Sequence, residues 1–130
     1  MATQERPLSP HLQVYRWQIQ MATSILHRAT GIVLSLGALI IATGLLVLML
    51  GPEHWSCFTQ LAGAWYGRLF LFLWSWAFAY HLCNGIRHIV QDFAHGFSIP
   101  AFKRSSWLSV IGSLVITALI WGYVLIGAGA

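Results

Sequence analysis

Three stretches of this chain, Ile32–Leu50, Leu69–Ile86 and Trp107–Ala130, run without a single charged residue. The hydrocarbon core of a bilayer is about 30 Å thick, and a helix needs about 20 residues to cross it. Each stretch reaches that length or comes within a turn of it, and the first extends back through Ser24–Gly31. A soluble fold of 130 residues could not hide such runs. The chain is 58% hydrophobic and 8% charged, against about 25% charged in an ordinary globular domain. Lipid must therefore be its solvent. Hydrocarbon offers backbone groups no partners, and three short segments cannot close a barrel, so all three are predicted to be helices. The expected class is an all-α integral membrane protein with one domain over 1–130. Within it we expect an inner-side N-terminal segment over 1–20 and transmembrane helices over about 22–50, 64–95 and 104–128.

Gly51-Pro52 ends the first span, Glu53–Gly63 reads as a loop crossing one surface, and Ser98-Ile99-Pro100 turns the chain before the third span. With three spans, the N-terminal segment and the second loop share a side. That side holds Arg6, Arg16, Arg28, Arg87, Lys103 and Arg104, and the other holds only Arg68. Cytoplasmic flanks carry the excess of Lys and Arg, so the N-terminus should face the cytoplasm or, in a mitochondrion, the matrix. Trp17, Trp55, Trp65 and Trp107 suit the interfacial aromatic belts, while Trp74, Trp76 and Trp121 lie deeper. The polar start, with Pro7 and Pro10, resembles neither a signal peptide nor an Arg- and Ser-rich transit peptide. Opening on Met1, the chain is expected in a bacterial cytoplasmic (inner) membrane, with the mitochondrial inner membrane as the alternative.

Several functions are excluded or disfavoured. The net charge of +4 is spread over the chain with no cluster longer than Lys103-Arg104, and the aromatics lie in apolar runs. No nucleic-acid partner is expected from that pattern. Cys57 and Cys83 form no CxxC zinc pattern, and without CxxCH a covalent c-type haem is excluded. The acids Glu5, Glu53 and Asp92 are too few and scattered for acid–base hydrolysis, and no GxSxG elbow, P-loop or dinucleotide fingerprint is present.

What remains is a small set of polar residues inside the spans, where ionisable groups are costly and face a protein interior or a pathway. At 100° per residue, His81, Gly85, His88, Asp92 and His95 share one face of the second span. His81 sits roughly 5 Å inward of the membrane centre. It suits either a hydrogen bond to a neighbouring helix or ligation of a metal or haem, since neutral imidazole is a common ligand. Gly85 would leave room one turn on for a flat macrocycle. His88 is shallower and suits the interface, and Asp92 suits the helix end or a pair with Arg87 or a partner subunit. On the first span Ser24, Arg28, Gly31, Ser35, Ala38 and Ala42 share a face, with His27 beside it. Ser35, Ala38 and Ala42 read as a helix-packing stripe. Ser24, His27 and Arg28 lie within about a turn of one another and form a polar pocket at the inner boundary. Arg28 could pair with carboxylates such as haem propionates, donate to a quinone carbonyl, or anchor to lipid headgroups.

These residues carry a resemblance. Arg6-Pro7-Leu8-Ser9-Pro10-His11-Leu12 with Tyr15, Ser24-Ile25-Leu26-His27-Arg28-Ala29-Thr30-Gly31, and His81-Leu82-Cys83-Asn84-Gly85-Ile86-Arg87-His88 with Asp92 resemble motifs of the cytochrome b membrane-anchor subunits of succinate dehydrogenase, respiratory complex II. The likeness extends over nearly the whole chain. It implies three helices forming half of a heterodimeric anchor bundle, with His81 as axial ligand of a b-type haem. It also implies Ser24 and Arg28 lining a ubiquinone site, and His27 and Arg28 near the haem propionates. His88 and Asp92 are secondary candidates. The implied partners are a second small anchor subunit supplying the other axial histidine, an iron–sulfur subunit and a flavoprotein subunit. On this reading electrons pass from the iron–sulfur subunit to quinone. The rivals are a haem-free structural anchor or assembly protein, in which His81 makes only a packing hydrogen bond, and a small transporter with His81 and Arg28 lining a path.

Overall fold

The computed structural model describes His11 and residues 14–128. Most of the N-terminal signature, Arg6–Pro10 and Leu12, lies outside the described residues, as do Gly129 and Ala130. Four helices follow one another: α1 (Ile19–Met49), α2 (Pro52–Gly63), α3 (Trp65–Asp92) and α4 (Ile99–Ala128). The described residues contain no strand. Helices α1, α3 and α4 are apolar enough to cross a membrane. At 31, 28 and 30 residues they are roughly 42–47 Å long, so each outreaches the hydrocarbon and extends into a headgroup region.

The stretch from 53 to 63, expected as a loop, is the body of a helix. Gly51 takes φ 111° and turns the chain out of α1, a conformation open to glycine and strained for other residues. Pro52 then occupies the first turn of α2, where its missing N–H is not needed, and Glu53 meets the positive helix end there. The helix ends also differ from the hydropathy bounds. Ala94 at φ 60° stops α3 soon after Asp92. Helix α4 begins at Ile99, through the predicted turn, because Pro100 fits a first helical turn and the Ser98 carbonyl accepts the Phe102 N–H at 2.9 Å. Hydropathy placed that start later because Lys103 and Arg104 interrupt the apolar run. Their long stems let a helix continue past the hydrocarbon.

Helix α3 packs against both α1 and α4, and α2 folds back against α1 and α3. The interior is small and polar. Thr23, Thr30, Gly37 and Gly44 are the buried positions of α1, and Ser106, Ser109, Ser113 and Thr117 those of α4. Along α3 the buried set includes Ala77, Tyr80, Asn84 and Arg87. These seams advance in steps of three, four or seven, the pattern of left-handed helix pairing. Small side chains let the backbones approach, and the hydroxyls return their protons to their own helix. Thr30 bonds the Leu26 and His27 carbonyls, Ser113 that of Val110, and Thr117 that of Ser113. Large apolar side chains such as Leu39, Leu45, Leu114 and Leu119 point outward, as expected when the surroundings are lipid.

Ser35, Ala38 and Ala42, read as a helix-packing stripe, are exposed in this chain. The packing face of α1 runs instead through Thr30, Gly37 and Gly44, because the indole of Trp74 lies flush on Gly37 and the ring of Phe58 on Gly44. Hydrogen bonds between helices tie the spans together, and two of them lie outside the polar clusters described below. Tyr80 Oη donates to the Thr23 carbonyl at 2.8 Å, and Trp121 Nε1 donates to Ser75 Oγ at 2.9 Å.

A Cβ at position 37 would overlap the Trp74 indole. Gly37→Ala is expected to destabilise the protein by about 1–3 kcal/mol, seen as a lower melting temperature in detergent. Trp74→Leu in the same chain should recover much of the loss, and additive losses in the double variant would show that the two residues do not meet.

Candidate functional site

The half of the α1–α3 interface near the start of α1 brings three imidazoles together. The His27 and His81 rings stack with centroids 3.9 Å apart and planes 13° from parallel, and His88 lies 5.1 Å from His27. The spacing that makes this possible is local. His27 and Thr30 lie one turn apart on α1, and His81 and His88 lie two turns apart on α3. Gly31 lets the helices close over His81, since a Cβ there would lie 3.1 Å from His81 Cε1.

The protonation pattern of His81 follows from its partners. Its Nδ1 lies 3.2 Å from the His27 carbonyl oxygen and 3.3 Å from Thr30 Oγ1. A carbonyl can only accept, so in the neutral ring Nδ1 carries the hydrogen and Nε2 keeps its lone pair. Thr30 supports this arrangement: its own hydrogen is directed at the Leu26 and His27 carbonyls, so its lone pairs face His81. A backbone carbonyl behind one ring nitrogen and a free lone pair on the other is how proteins orient a ligating histidine. No group of three or more metal-ligating side chains occurs among the described residues. Single axial ligation needs only one donor from this chain.

The remaining candidates are distributed unevenly. His27 joins the cluster, and its Nδ1 is buried without a partner among the described residues. Gly85 faces His27 rather than open space: a Cβ there would lie 3.9 Å from His27 Cε1. Arg28 is on the exposed side of α1, and its Nε reaches only the Ser24 carbonyl, at 3.4 Å. Ser24 is half-buried one turn before it. These two therefore do not join the imidazole cluster. Asp92 is exposed at the end of α3 and His95 is exposed beyond it. The suggested pairing of Asp92 with Arg87 is not found.

Arg87 instead turns toward α4. Its Nε donates to Ser105 Oγ at 3.0 Å, its Nη1 to Asn84 Oδ1 at 3.4 Å, and the guanidinium lies 4.4 Å from the centre of the Phe102 ring. Asn84, wholly buried, was not singled out from the sequence, yet it links the two groups. Its Oδ1 accepts from Arg87, so its Nδ2 is the atom 3.1 Å from His88 Nε2. His88 Nε2 must then be an acceptor, with the ring hydrogen on Nδ1. The signal that could have found Asn84 is its place on the heptad seam with Tyr80 and Arg87, which a search for ionisable residues passes over.

Residues 2–120 match the family model described as succinate dehydrogenase/fumarate reductase transmembrane subunit. A Rickettsia felis protein named succinate dehydrogenase cytochrome b556 subunit is 39% identical over 117 residues, covering 90% of this chain and 91% of its own. A Paracoccus denitrificans protein of the same name is 38% identical over 114 residues, 88% of each chain. The Sus scrofa mitochondrial succinate dehydrogenase cytochrome b560 subunit is 35% identical over 122 residues, 88% of this chain and 71% of its own.

Replacing Asn84 by leucine would leave a donor of Arg87 and an acceptor of His88 unpaired in a buried site. Such losses cost about 1–3 kcal/mol each. Asn84→Leu should lower the melting temperature in detergent clearly more than Ser75→Ala. Equal effects would show that Asn84 is not a structural link.

Proposed function

The chain belongs to the succinate dehydrogenase/fumarate reductase transmembrane subunit family, and we propose that it holds a b-type haem through His81 and helps form a site where ubiquinone is reduced. The observation that carries this reading is the His81 ring, whose Nδ1 is engaged by the His27 carbonyl so that Nε2 is left for iron. The names of the relatives, cytochrome b556 and b560, point the same way. His27 fits beside such a group: its buried, unpartnered Nδ1 would gain an acceptor in a propionate carboxylate, and Arg28 a charge partner. A bound haem would supply a one-electron redox centre. A second small anchor subunit would provide the other axial histidine.

The quinone role falls to Ser24 and Arg28. The Arg28 guanidinium is exposed and only loosely held, so it remains available to a substrate, and Ser24 Oγ lies one turn away. Both donate to the quinone oxygens, so negative charge that develops there is stabilised in a site of low dielectric. Protons enter from the inner side. His88 and Asp92 stand nearer that surface than His81, as secondary candidates. The iron–sulfur and flavoprotein subunits dock on the basic inner face and deliver the electrons. The N-terminus then faces the cytoplasm of a bacterium or, alternatively, the matrix of a mitochondrion.

One observation also favours the haem-free reading, in which His81 is only a packing residue: its Nδ1 does bond the neighbouring helix. That bond uses one nitrogen and ligation the other, so the spectrum distinguishes the two. Purified, reduced complex should show a b-type haem band that is lost in His81→Ala, and an intact band in that variant rules out His81 as ligand. Arg28→Ala should lower quinone reduction about 10–100-fold, the cost of a charge-assisted hydrogen bond, while succinate oxidation by an artificial acceptor continues. Loss of both activities would contradict the quinone role.

A further inference from the structure

On the face of α3 turned to α4, Arg87 is 7% exposed, and among the described residues it has no anion. Ser105, Asn84 and Phe102 are neutral, and Nη2 is buried with no partner among the described residues. The described acids are Glu53, in α2 at the far end of the spans, and Asp92. Five residues from Arg87, Asp92 projects about 140° around the helix and is exposed. A buried cation without a counter-charge is strongly unfavourable, and a membrane interior sharpens the penalty.

Arg87 lines a cavity of about 330 Å³ between α3 and α4, at their inner ends. Gln91, one turn on, lines the same cavity, and its Nε2 is a second buried donor without a partner. The walls include Ile86, Val90 and Leu108. Lys103 and Arg104, exposed on α4 next to Ser105, add positive charge at this level. Two unpartnered donors on residues lining one cavity, surplus positive charge and apolar walls match a lipid with an anionic head.

We infer that this cleft binds an anionic phospholipid, with a phosphate oxygen taking hydrogen bonds from Arg87 and Gln91 and an acyl chain lying along Ile86, Val90 and Leu108. Both nitrogens are shielded from water, so the headgroup enters as the Gln91 side chain rotates outward. The phosphate supplies the charge that the protein withholds from Arg87. A free phosphate ion would satisfy the donors and leave the apolar walls unused. The site is separate from the imidazole cluster and does not depend on the haem reading.

The test uses the intact complex in nanodiscs of phosphatidylcholine, with or without phosphatidylglycerol. Bound lipid is counted by native mass spectrometry, and the melting temperature is recorded. The parent complex should retain phosphatidylglycerol and melt several degrees higher in its presence. Arg87→Gln and Gln91→Leu should each weaken retention about tenfold or more, as expected for loss of a hydrogen bond to a charged group. Val90→Trp, which fills the cleft and leaves the cation in place, should do the same. If Arg87→Gln fails to assemble, the other two variants decide. Equal retention in them overturns the proposal. So does equal stabilisation by inorganic phosphate in phosphatidylcholine discs. Phosphatidylglycerol independence of the parent would also overturn it, and would indicate that the Gln91 amide is turned to pair with Arg87.

Discussion

Hydrocarbon accepts no hydrogen bonds and donates none, so a polar side chain within the spans is costly wherever it lacks a partner. That constraint organises the molecule. The hydroxyls of Thr30, Ser106, Ser109, Ser113 and Thr117 bond the carbonyls of the preceding turn, which makes them compact and removes their cost. With small residues at the seams, the helices come close enough for longer side chains to reach across. Tyr80 then meets the Thr23 carbonyl, and His81 meets that of His27.

Helix α3 carries chemistry on two faces, one turned to α1 and the other to α4. Toward α1 it presents His81 and His88, and toward α4 it presents Arg87. Asn84 lies between and hydrogen-bonds to members of both groups. The buried amide thereby orients His88 through a residue that also holds the cation. Since Arg87 can only donate, the direction of every bond in this short chain is settled by a single side chain. A substitution on the α4 side can therefore be felt at the histidines, without any movement of backbone.

The half of the bundle beside α2 is built differently. Helix α2 folds back beside α1 and α3, and a cavity of about 510 Å³ walled by Trp55, Phe58, Tyr66 and Trp74 lies among them. It holds almost no polar groups, and aromatic packing on Gly37 and Gly44 maintains the helix spacing there. Polar groups and positive charge are thus concentrated in the half that holds the imidazole cluster and Arg87, and the half beside α2 is left to apolar packing.

The amino-acid sequence by itself determined that three helices cross a membrane, because length and hydropathy decide that question without reference to neighbours. It also placed His27 and His81 in the same half of the bilayer, and the match of residues 2–120 to the family model agrees with the motifs read in that region. It could not show that the segment after Gly51 is helical, since α2 is too short and mixed to stand out by hydropathy. Nor could it show which small residues of α1 pack within the chain, which buries Thr30, Gly37 and Gly44 and leaves Ser35, Ala38 and Ala42 exposed. Which small residues are buried depends on where Trp74 and Phe58 lie, and those side chains come from other helices. The same holds for Arg87, which turns toward Ser105 and away from Asp92, and for the nitrogen of His81 that stays free. Both are decided by hydrogen bonds between helices, and only the tertiary structure brings those partners within reach.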